Sequence, residues 1–125
     1  MKKYVAIIVG GTGQYGIFTS KLLLSKNYKV IITTRSIRKK LNILKFDKNL
    51  ILQKLNIYDK KKIEKLILKF KPNLILYYAG QSSPDRSFKL KKETFKSNFV
   101  GCKNFLEVIN KQKINCKFLN ATSCE

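Results

Sequence analysis

The sequence predicts an α/β fold: a doubly wound, parallel sheet with helices on both faces. Three observations lead there. Residues 4–9 and 73–79 are short, nearly continuous apolar runs, as expected of strands covered on two sides. The stretches between such runs carry apolar residues at helical spacing, so strand and helix alternate as in consecutive βαβ units. The first run also breaks on glycines and leads directly into a helical pattern.

In chain order, residues 4–9 form the first strand, and residues 15–25 a helix expected to turn Phe18, Leu22 and Leu23 inward. Asn27 is suited to closing that helix, and residues 29–34 make the second strand. Residues 37–46 give no clear element, and residues 50–54 form a third strand. Asp59 is placed to cap a helix carrying Ile63, Leu66, Ile67 and Phe70, which Pro72 ends. After the strand at 73–79, a loop with Gly80, Ser82, Ser83 and Pro84 leads to a long helix over residues 91–111. Its apolar positions are Phe95, Phe99, Cys102, Leu106 and Ile109. Residues 116–121 are a fifth strand. Right-handed crossovers then give strand order 3-2-1-4-5, a Rossmann-type sheet. The sequence stops after that fifth strand, so the sheet is expected to be truncated there, with residues 1–125 as one domain.

Composition narrows the class. With 44% hydrophobic residues the chain can build a core. No apolar run approaches the roughly 20 residues that span a bilayer, and no signal-type cleavage site follows Lys2-Lys3. The three cysteines, Cys102, Cys116 and Cys124, have neither disulfide nor zinc-site spacing, which fits a reduced, cytoplasmic protein without a metal site. The net charge of +20 invites a nucleic-acid reading, but lysine outnumbers arginine 24 to 3. Nucleic-acid sites favour the bidentate arginine fork, so a solvated lysine-rich surface is the better reading.

In this topology, ligands sit at the carboxyl ends of the strands. Gly10, Gly11, Thr12, Gly13, Gln14, Tyr15 and Gly16 follow the first strand. Bare glycines let the backbone turn and approach a pyrophosphate, and the helix offers it free N–H groups. After the second strand stands Thr33-Thr34-Arg35-Ser36. A carboxylate there would suit the ribose hydroxyl of NAD; Arg35 suits the 2′-phosphate of NADP, so NADP is the expected cofactor. After the third strand, Asn56 fits either an adenine contact beside Ile57 or a turn ahead of the Asp59 cap. Tyr78, Ala79, Gly80, Gln81 and Ser82 line the path of the cofactor's middle after the fourth strand.

These residues resemble a known family. The glycine loop, Tyr78 to Ser82, Asn98-Phe99-Val100-Gly101 and the closing Phe118 to Glu125 look like the extended short-chain dehydrogenase/reductases. The stretch Ala79-Gly80-Gln81-Ser82-Ser83-Pro84-Asp85-Arg86-Ser87-Phe88 is similar to the GDP-mannose 4,6-dehydratase branch, as is Gly13-Gln14. The resemblance implies a lyase with tightly held NADP, acting on a nucleotide sugar such as GDP-mannose. Such an enzyme oxidises the hexose at C4, eliminates water across C5 and C6, and returns hydride to C6. It implies that Ser123 hydrogen-bonds the sugar near O4, that Glu125 removes the C5 proton, and that subunits pair as a homo-oligomer through helices such as 91–111.

Two departures stand out. The family has Asp where Asn56 stands, and no Tyr-x-x-x-Lys base follows the fifth strand. The expectation is therefore the N-terminal cofactor-binding part of a dehydratase, inactive alone. An epimerase or reductase of the same extended family and a non-catalytic NADP-binding module are the alternatives, with a basic nucleic-acid binder behind them.

Overall fold

A computed structural model of the chain describes residues 3–10, 14–35, 47–78 and 99–120. The elements are β1 (Val5–Val9), α1 (Gln14–Ser25), β2 (Lys29–Thr34), β3 (Leu50–Lys54), α2 (Lys60–Phe70), β4 (Leu74–Tyr77), α3 (Gly101–Lys111) and β5 (Lys117–Asn120). The five strands form one sheet in the expected order β3-β2-β1-β4-β5, every pair parallel. The boundaries of β2 and β3 coincide with those read from the sequence.

Side chains alternate across the pleat and so build two cores. Ile7 and Val9 of β1 face one side, where α2 supplies Ile63, Leu66 and Ile67 and α3 supplies Cys102, Phe105 and Val108. Ala6 and Ile8 face the other, with Val30 and Ile32 of β2 and Leu23 of α1. Ile7, Ile8, Ile31, Ile63 and Ile67 are fully buried. Each such side chain contributes about 1.5–3 kcal/mol relative to leaving it in water, an upper estimate because unfolded chains are already partly collapsed.

The helix ends follow local chemistry. Asp59 is extended and its carboxylate accepts from the Lys62 N–H at 3.2 Å, the expected cap of α2. Lys71, with φ 45°, ends that helix by donating its N–H to Ile67 O, and Pro72 follows. Asn27 closes α1 at φ 67°, as its left-handed tolerance suggests.

Two helix faces differ from expectation. On α1 the buried residues are Gly16, Ser20 and Leu23, while Phe18 and Leu22 are exposed. Small residues let this helix lie close to the sheet, so its larger side chains turn outward. On α3 the inward positions are Gly101, Cys102, Phe105 and Val108, while Phe99, just ahead of the helix, and Leu106 are exposed. The described part of the long predicted helix includes Gly101–Lys111; residues 91–98, with Phe95, lie outside the described residues.

Gly101 explains how α3 seats. A Cβ there would lie 2.2 Å from Tyr77 Oη and 2.7 Å from Ile57 Cδ1. Gly101→Ala is expected to lower stability by about 1–3 kcal/mol, the usual cost of overpacking a tight core. Urea denaturation of the variant beside wild type checks this; an unchanged midpoint would mean that Tyr77 and Ile57 simply move aside.

Candidate functional site

The carboxyl ends of all five parallel strands lie along one edge of the sheet, and the strand order reverses between β1 and β4. A crevice opens at such a reversal, because the crossovers leave β1 and β4 on opposite faces. β1 ends at Val9, whose carbonyl accepts from Tyr78 N at 2.8 Å, and Gly10 turns away with φ 73° while donating its N–H to Thr33 O at 3.1 Å. Left-handed backbone there carries no steric cost for glycine, which lacks a Cβ. Helix α1 starts only four positions later, at Gln14. Its Gly16 is buried against the sheet and Tyr15 is exposed.

Tyr78 follows β4, half-buried, with its hydroxyl 3.3 Å from Thr19 Oγ1. Thr19 donates its own proton to Tyr15 O at 2.8 Å, so the Tyr78 hydroxyl is the donor in that pair. Arg35 stands exposed directly after β2, beside the end of β3, where Leu55 N donates to Thr34 O at 2.9 Å.

Between β3 and α2, Asn56 shapes a turn: its Oδ1 accepts from Tyr58 N at 3.0 Å and its carbonyl accepts from Asp59 N at 3.0 Å. Ile57 points inward, only 7% exposed, against the site of Gly101. Its carbonyl accepts from Asn104 Nδ2 at 3.0 Å. Asn104 and Thr19 were not singled out from the sequence, and Gly101 entered only as the last residue of Asn98-Phe99-Val100-Gly101. A polar residue between the apolar positions of α3 was the available signal for Asn104, but its partner 47 positions away gave no local trace.

The structure thus brings Gly10, the start of α1 at Gln14 and Tyr15, Gly16, Arg35, Asn56, Ile57 and Tyr78 to one edge of the sheet. Gly11, Thr12, Gly13, Ala79, Gly80, Gln81, Ser82, Ser123 and Glu125 lie outside the described residues. Tyr58 and Lys62 carry a Tyr-x-x-x-Lys spacing, but they sit at the start of α2, not beyond β5. Among the described residues no group of three His, Cys, Asp or Glu is placed to hold a metal ion, and no helix is long and apolar enough to cross a membrane.

Electrostatics differ across the two helices behind this edge. Burial pushes the Tyr77 hydroxyl well above the ordinary tyrosine value, and nearby Cys102 and Tyr58 add to the shift. Burial likewise raises the Cys102 thiol. A hydrogen bond from Lys60 chiefly holds Glu107 below the usual carboxylate value. Beside α3 and the end of β5 lies an open concavity of about 450 Å³, walled by Phe99, Cys102, Leu106 and Asn120.

Residues 7–125 match the family model described as GDP-mannose 4,6 dehydratase. No curated protein matches the chain. Among solved structures, it is similar to UDP-glucose 4-epimerase from Brucella ovis in complex with NAD, at 17% identity and TM-score 0.83, over 97% of this chain and 36% of that one. It is also similar to WbmH from Bordetella bronchiseptica in complex with NAD+, at 23% identity and TM-score 0.73, over 90% and 37%. A third is UDP-glucose 4-epimerase with UDP-glucose from Thermotoga maritima, at 21% identity and TM-score 0.81, over 95% and 38%. The chain therefore spans little more than a third of the length of these structures. At such identities the likeness establishes the fold.

The buried Tyr77 hydroxyl carries a pH prediction. The unfolded chain ionises this group near its ordinary value of 10.0, before the folded protein does. Its contribution to stability is thus fully present below that value and is lost as pH rises toward the higher folded value. Urea midpoints should fall on raising the pH above about 10, and less steeply for Tyr77→Phe. Parallel curves for the two proteins would contradict this.

Proposed function

This chain belongs to the GDP-mannose 4,6-dehydratase family, and from that membership we propose that it forms the NADP-binding portion of a nucleotide-sugar 4,6-dehydratase. The observation that carries the reading is the family match over residues 7–125, which takes in the glycine loop, the Gln81 to Phe88 stretch, Ser123 and Glu125.

The residues present fit a dinucleotide. Left-handed Gly10, the early start of α1 and the buried Gly16 match the three tasks of such a loop: turning sharply, presenting helix N–H groups to phosphate, and packing helix on strand. Gly10, Gly11, Thr12, Gly13, Gln14, Tyr15 and Gly16 would hold the pyrophosphate. Arg35 would hold a 2′-phosphate, since Thr33, Thr34 and Ser36 around it bring no carboxylate to repel one. Asn56 and Ile57 would border the adenine, and Tyr78, Ala79, Gly80, Gln81 and Ser82 the middle of the cofactor. When bound, NADP supplies a reversible hydride acceptor.

The chain's own acid–base chemistry centres on two residues. The Ser123 hydroxyl would hydrogen-bond the hexose near O4. With C4 at the carbonyl level, the C5 proton is acidified, and the Glu125 carboxylate is a competent base for it. The C5–H bond breaks to Glu125, the C6–O bond breaks, and the hydroxyl leaves as water with the proton returned by Glu125. Epimerases of the extended family generally lack a glutamate at this place, so Glu125 favours dehydration. The GDP-mannose substrate and the need for further chain to bind its sugar belong to the same proposal. So does pairing of subunits through α3, where exposed Leu106 and, just ahead of the helix, exposed Phe99 are suited to it. Sedimentation of the wild type and of Leu106→Lys tests that pairing; equal masses would remove it.

The cofactor is tested by thermal shift. NADPH should raise the melting temperature more than NADH does, and Arg35→Asp should invert the order. Equal responses to the two cofactors would remove the case for Arg35, and no response to either would remove the dinucleotide reading.

A further inference from the structure

We infer that Asn104, on the sheet-facing side of α3, is a positioning residue for the adenine end of the dinucleotide site. The inference rests on the cofactor reading above and adds a residue that no sequence motif marks. The β3–α2 connection, residues 55–59, lies at the ligand edge beside the end of β2 and Arg35. Within it, the bonds from Tyr58 N to Asn56 Oδ1 and from Asp59 N to Asn56 O set the curvature of the turn. Leu55 N to Thr34 O joins its first residue to β2. None of these holds the apex of the turn to the helix layer beneath it.

Asn104 does. Its Nδ2 donates to Ile57 O at 3.0 Å in a half-buried setting. One turn earlier, Gly101 lets α3 come close enough for the bond, since a Cβ at that position would overlap Ile57 and Tyr77. The Ile57 side chain is buried beside it. Hydrogen bond and apolar anchor together fix the peptide 57–58, and with it the direction in which the turn presents its outer surface. Asn104 touches no ligand in this account; it acts through the Ile57 carbonyl. A loop held in its binding geometry spares a ligand the entropy of ordering it.

A second hydrogen bond between α3 and the α2 layer serves as an internal control. Gln112 Nε2 donates to Glu64 Oε1 at 2.7 Å, also half-buried, just past the far end of α3 from Gly101. Asn104→Leu and Gln112→Leu each remove one such bond and should lower the melting temperature comparably. Calorimetric titration of the 125-residue chain with NADPH and with adenosine 2′,5′-bisphosphate separates the two roles. Asn104→Leu should weaken both ligands by about threefold to tenfold, the worth of one half-buried hydrogen bond, and Gln112→Leu should leave both unchanged. Should the leucine variant not fold, Asn104→Ser breaks the same bond by shortening the side chain. Wild-type affinity in the Asn104 variants, or equal weakening by Gln112→Leu, overturns the inference while leaving the cofactor reading intact. A wild-type chain that binds neither ligand overturns both.

Discussion

Strand β1 is hydrogen-bonded along both of its edges, to β2 on one side and β4 on the other, and the rest of the architecture depends on that double pairing. A central parallel strand has neither an edge nor a face in water, so Ala6, Ile7, Ile8 and Val9 must all be apolar, and all are fully buried. The same pairing decides where a ligand can go. Chain leaving β1 crosses over α1 toward β2, whereas β4 and β5 extend the sheet the other way. Those opposed crossovers leave a space above the end of β1, where Gly10 turns out of the sheet.

Close helix approach is the second constraint. α1 lies on the sheet through Gly16 and Ser20, and α3 through Gly101, each a residue with little or no side chain. Ser20 is fully buried yet satisfied, donating to Gly16 O at 2.6 Å. Helices seated this tightly carry the ends of the strands with them. The turn after β3 is thereby tied to α3, and the end of β4 to α1, through Asn104 and Tyr78.

The charge distribution is less decisive than its size suggests. Two acids, Glu64 and Glu107, lie between α2 and α3, where Lys111 and Lys60 meet them. Exposed pairs of this kind contribute little to stability, because water screens them and ordering two long side chains costs entropy. These pairs link the two helices, while the other described lysines are exposed or half-buried at the surface.

The strand–helix alternation, the sheet order, the limits of β2 and β3, the Asp59 cap and the Asn27 helix end were all determined by the sequence itself. Each depends on a run of neighbours or on one residue's own backbone preference, and such information is local. The placement of Gly10, Arg35 and Asn56 at the carboxyl-end edge of the sheet was legible too, because in a parallel sheet every strand end of one sense lies on the same side. Tertiary structure alone decided which way α1 faces. Apolar residues ring much of that helix, so periodicity could not set its rotation. Small residues did, by permitting contact that Phe18 would have prevented. On α3 the stripe of Cys102, Phe105 and Val108 stands at helical spacing among polar neighbours, and Gly101 decided how closely it seats. The bond from Asn104 to Ile57 was hidden for the same reason: it joins chemically ordinary residues far apart in the chain, and it exists only because Gly101 lets two packed layers approach.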